Sequence, residues 1–94
     1  MPETKKSPPG SEAITWRKTG DSAVILNLET SEYYSANETG TFIWEQLCAG
    51  RRPGKIAAAL AEEYGVGAEQ AEQDTAAFLA ELAKLKIIGK EALK

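Results

Sequence analysis

The chain has 94 residues, 43% of them hydrophobic and 27% charged, with fourteen acidic against eleven basic side chains for a formal net charge of -3. That length allows one domain with one modest core, and that balance is typical of a folding chain rather than a disordered or fibrous one. No overall basic field draws in a phosphate backbone, and the longest apolar runs fall far short of the ~20 residues of a membrane span, so neither nucleic acid nor a bilayer is an expected partner.

The first twelve residues, "MPETKKSPPGSE", hold three of the four prolines and no apolar residue after Met1. Such a segment cannot bury enough surface to offset the entropy of ordering, so residues 1–12 read as a disordered tail. It carries no export pattern of charged, apolar and then small residues, and the single cysteine, Cys48, cannot close an intramolecular disulfide; the expected location is the cytoplasm.

From Ala13 the pattern has period two. "AITWRK" and "SAVILNLE", separated by a Gly-Asp turn, read as a hairpin in which Val24, Leu26 and Leu28 share one face and Ile25 and Asn27 the other. A third short strand is predicted at "YYSA", completing an antiparallel meander whose apolar face needs a cover.

Helices follow. Asn37 is a suitable N-cap and Glu38 suits the positive end of the first dipole. Ile43 and Leu47, with Trp44 and Cys48 beside them, make the buried stripe of a helix closed by Gly50. A second helix over 54–64 aligns Ile56, Leu60 and Tyr64 and ends at Gly65; Pro53 starts it without a capping side chain. A third, over 68–85, steps through Ala71, Thr75, Phe78, Leu82 and Leu85, with Leu79 widening the stripe. "KIIG" leaves that helix, and residues 90–94 read as a flexible C-terminus. Three strands and then three helices make an α+β domain over 13–89.

Catalytic chemistry finds little to work with. Without histidine, no Cys-His or Ser-His-Asp arrangement can be built, and the expectation is a protein that is not an enzyme. Cys48 lies on an apolar helix face as an inert buried thiol. One cysteine and no histidine make no zinc site, the carboxylates of Glu62, Glu63, Glu69, Glu72 and Asp74 lack calcium-loop spacing, and "GVG" lacks the Lys-Ser/Thr pair of a phosphate cradle. No metal or cofactor is implied.

Three strands with three helices also describe a winged helix-turn-helix, the architecture of a transcriptional regulator or regulatory adaptor. Its recognition helix needs basic or amide side chains outward. Here residues 68–85 carry Glu69, Glu72, Asp74 and Glu81 against Lys84 alone, and the one basic cluster is Arg51, Arg52 and Lys55. A binding module remains. If Tyr33, Tyr34, Ser35 and Ala36 form an edge strand, their backbone can accept another chain, with aromatic pockets beside it; the alternative is that the tyrosines complete the core and guard the edge.

The ordered set "YYSANETGTFIWEQL", "KIAAALAEEYGV" and "DTAAFLAELAKLKII" resembles the PqqD family, also called RiPP recognition elements, over about residues 13–89. The resemblance implies a winged helix-turn-helix-like domain that binds the leader segment of a ribosomally made precursor peptide as a strand added beside the third strand and packed on the third helix. It also implies presentation of that leader to a modifying enzyme such as a radical SAM protein or a leader protease. Carried onto this chain, edge contacts fall on Tyr33, Tyr34, Ser35 and Ala36. Groove residues come from Asp74, Ala77, Phe78, Glu81, Lys84 and Leu85, with apolar anchors near Phe78 and Leu85 and polar steering by Lys84 and Glu81. Two departures are visible: "LETSE" replaces the Pro-Glu type turn of PQQ-pathway members, and Pro53 replaces a capping Thr. The chain is thus more similar to stand-alone recognition proteins, including those of lasso-peptide clusters.

Overall fold

Gly20 turns the first hairpin at φ +62, a left-handed value that costs a residue without Cβ nothing. On either side of it β1 (Ile14–Thr19) and β2 (Ser22–Asn27) pair antiparallel from Ile14↔Asn27 to Thr19↔Ser22. β3 (Glu32–Ala36) pairs antiparallel with β2, so the sheet order is β1-β2-β3. The structure is a computed structural model that describes residues 14–88. The tail expected over 1–12, the C-terminus over 90–94 and the outermost positions of the 13–89 domain lie outside the described residues.

β2 buries Ala23, Ile25 and Asn27 and turns Val24 outward at 42% exposure, with Leu28, just past the strand's end, at 61%. Asn27 belongs inside because its amide group has four partners. Its side-chain oxygen accepts from the Glu29 and Thr30 amides at 2.9 and 3.4 Å, and its nitrogen donates to the Leu85 and Lys86 carbonyls at 3.4 and 2.9 Å. A buried amide is tolerated when its hydrogen bonds are made, and these tie the β2–β3 turn to the end of the last helix.

α1 (Glu38–Cys48) follows β3 with Asn37 as its cap, whose side-chain oxygen accepts from the Gly40 amide at 2.9 Å. The interaction is worth about 1 kcal/mol and lets the helix begin with no linker after the strand. The far end closes as a Schellman motif: the Arg51 amide donates to the Gln46 carbonyl, the Gly50 amide to that of Leu47, and Gly50 sits at φ +90.

α2 (Pro53–Tyr64) starts on Pro53 and ends at the left-handed Gly65, buries Ile56, Ala57 and Leu60, and is one residue longer at its start than the sequence suggests. Tyr64, expected on the buried stripe, instead ends that helix partly exposed, its ring edge-on to Phe42 at 5.6 Å. Burial and the nearby Glu38 carboxylate raise the Tyr64 phenol above its ordinary value. α3 (Ala68–Lys84) buries Ala71, Thr75, Phe78, Leu79 and Leu82. Leu85 belongs to its C-cap, where Lys86 takes a left-handed φ of +62 and turns the chain so that Ile87 and Ile88 return to the core.

The helices cover one face of the sheet: α1 lies against β2 and β3, and α2 and α3 pack on each other and on α1. At the centre sits Trp44, with no exposed surface and Trp16 of β1 edge-on at 5.9 Å. Each fully buried aliphatic side chain in this core, among them Ile25, Ile43, Ile56, Leu60 and Leu82, contributes about 1.5–3 kcal/mol. This is the α+β, winged helix-turn-helix-like arrangement of three antiparallel strands followed by three helices.

Candidate peptide-binding groove

Among the described residues β3 borders only β2, so there the side away from β2 is an unpaired strand edge. Along it, side chains alternate. Tyr34 and Ala36 stand opposite Ile25 and Ala23 in register and face the helices; Tyr33 and Ser35 stand opposite Leu26 and Val24 and face away. Tyr33 is accordingly 66% exposed, and Ala36 is buried.

α3 supplies the wall opposite this edge. Phe78 meets Tyr34 edge to face, with ring centroids 5.5 Å apart and planes at 76°. Behind them α1 comes very close: a Cβ on Gly40 would lie 3.0 Å from the Phe78 ring and 3.2 Å from Ala36 Cβ. Thr41, buried one residue on, donates its hydroxyl to the Ala36 carbonyl at 3.4 Å, holding the helix to the end of the strand. Between β3, the first turns of α1 and the middle of α3 lies a groove of about 480 Å³. Tyr34 forms one side, Asn37, Thr39, Gly40 and Ile43 the α1 end and floor, and Asp74, Ala77, Phe78 and Glu81 the far side.

Charge in the groove is acidic. Asp74 accepts from the Gln70 side chain at 2.9 Å, and burial together with the nearby Glu81 carboxylate raises the Tyr34 phenol above its ordinary value of 10.0. Among the described residues no group of His, Cys, Asp or Glu is arranged to hold a metal ion. Cys48, expected as a buried thiol, is half-buried, because it sits at the last turn of α1 where the core layer ends.

Of the ten residues singled out from the sequence, the groove brings together Tyr34, Asp74, Ala77, Phe78 and Glu81. Ala36 packs directly behind it, under Gly40. Tyr33 and Ser35 are not among its lining residues, since strand alternation turns their side chains to the outer face. Lys84 and Leu85 stand outside the groove lining. Leu85 packs against the core, and its carbonyl accepts from Asn27, the residue opposite Glu32, so the end of α3 lies by the start of β3. Asn37, Thr39, Gly40 and Ile43 are additional lining residues. A signal for them exists in the sequence: a cap directly after the strand leaves α1 nowhere to begin except beside the strand's end.

A winged helix-turn-helix-like domain built around an open strand edge and a groove is the class that fold and site define. The family model for coenzyme PQQ synthesis protein D (PqqD) matches residues 22–88, and the chain belongs to the PqqD family. Among solved structures, it is similar to TbiB1 in complex with the TbiA(beta) leader peptide, at 32% identity and a TM-score of 0.81 over 87% of this chain and 95% of that one. It is also similar to lasso peptide synthetase B1 complexed with the leader peptide, at 30% identity and a TM-score of 0.73 over 81% and 89%. No curated protein gives a significant match.

Proposed function

We propose that the chain is a non-catalytic, cytoplasmic recognition protein that takes the leader segment of a ribosomally made precursor peptide as a fourth strand on β3 and presents it to a maturation enzyme, a radical SAM protein or a leader protease. The unpaired β3 edge beside the Tyr34–Phe78 groove carries this reading. The added strand gains backbone hydrogen bonds from the edge and side-chain contacts from the groove. Two similar structures, each a complex with a leader peptide, support it.

Titration of isotope-labelled protein with leader peptides from candidate precursors tests it. Amides of residues 32–36 and of α3 shift and gain protection from exchange, while those of β1 stay in place. Shifts confined to Arg51, Arg52 and Lys55 on addition of duplex DNA, with β3 silent to peptide, sink the proposal in favour of a winged-helix regulator.

A further inference from the structure

Asp74 and Glu81 are seven residues apart on α3, close to two full turns, so they fall on one face about 10 Å apart along the axis with Phe78 between them. The groove wall therefore reads carboxylate, aromatic ring, carboxylate. The nearest cation in sequence, Lys84, lies outside the lining. An extended chain beside β3 points alternate side chains at this wall, and residues two before and two after a given position are roughly 13 Å apart. An apolar residue facing Phe78 and Ile43 thus has its neighbours at minus two and plus two beside the two carboxylates, within reach of a long flexible side chain. Like charges on either side of a half-enclosed apolar floor repel an acidic peptide and attract a basic one.

We propose that the groove selects leader segments in which an apolar residue is flanked two positions away, on one or both sides, by lysine or arginine, and that Asp74 and Glu81 are the specificity-determining residues. This rests on strand addition at β3. It assigns to the groove's own carboxylates the steering that the sequence placed partly on Lys84.

The test uses ten-residue peptides with a central leucine, threonine elsewhere, and lysine, glutamine or glutamate at the two flanking positions, titrated into labelled protein at low and high salt. The lysine peptide binds at β3 about tenfold tighter than the glutamate peptide at low salt, the sum of two weak exposed pairs and the repulsion they replace. Added salt narrows the gap. The double variant Asp74→Lys, Glu81→Lys reverses the order; if that variant does not fold, the wild-type series decides alone. Equal binding of all three peptides at β3 overturns the charge selection and leaves strand addition standing. Unmoved β3 amides with every peptide, alongside failure of the candidate leaders, overturn both.

Discussion

β1 and β3 both border the central strand, yet their outer edges, unpaired among the described residues, are finished in opposite ways. β1 carries Arg17 and Lys18, and Lys18 reaches Glu45 of α1 at 2.9 Å while Trp16 packs its ring onto Trp44. Charged side chains on an edge deter a further strand. β3 carries a single charge, Glu32 at its start, followed by two tyrosines, serine and alanine, and its ring contact, Tyr34 with Phe78, stands at the mouth of a groove instead of under the sheet. The same edge-to-face geometry closes one side of the domain and lines an opening on the other. What separates them is depth: Trp44 is wholly buried, whereas Tyr34 keeps part of its surface in solvent.

Trp44→Ala is the strongest way to break the closed side. Removing a fully buried indole costs about 3–5 kcal/mol, enough in a domain this small to lose most of the folded state in denaturant titrations, and peptide binding goes with it. Gly40→Ala acts on the open side through packing. The added methyl presses the Phe78 ring and Ala36, costs about 1–3 kcal/mol, and narrows the groove, so leader affinity falls further than stability alone explains. Tyr34→Ala sharpens the contrast: the fold survives with a loss of about 1 kcal/mol, but leader affinity measured by calorimetry drops at least about tenfold.

Alkaline pH provides a fourth comparison. Tyr34 and Tyr64 hold their phenolic protons more tightly folded than unfolded, so their contribution is complete below the ordinary value of 10.0 and is lost as pH rises through the raised folded values. Unfolding free energy therefore declines above pH 10, and Tyr34→Phe makes that decline shallower. The smallest effect belongs to the exposed ion pair: Glu45→Gln costs under about 0.5 kcal/mol and leaves leader binding unchanged. An altered affinity there contradicts the division of the sheet into a guarded and an accepting edge.

Groove residues were legible in the sequence to the extent that alternation and helical period are local. Period two put Tyr33 and Tyr34 on opposite faces, and the i, i+4, i+7 spacing of Asp74, Phe78 and Glu81 already aligned them. Where α3 ends relative to β3 is not local, which is why Lys84 and Leu85 were expected in a groove whose lining stops at Glu81.

By itself the sequence determined the order of strands and helices, the Asn37 cap, the glycine stops and the acidic character of α3, because each follows from residues a few positions apart. Only the tertiary structure decided which face of β2 goes inside, since Asn27 is satisfied by carbonyls 58 and 59 positions away and no periodicity reports that. It likewise decided that Gly40 is the contact point of α1, β3 and α3, and so that the open edge of β3 has a groove beside it.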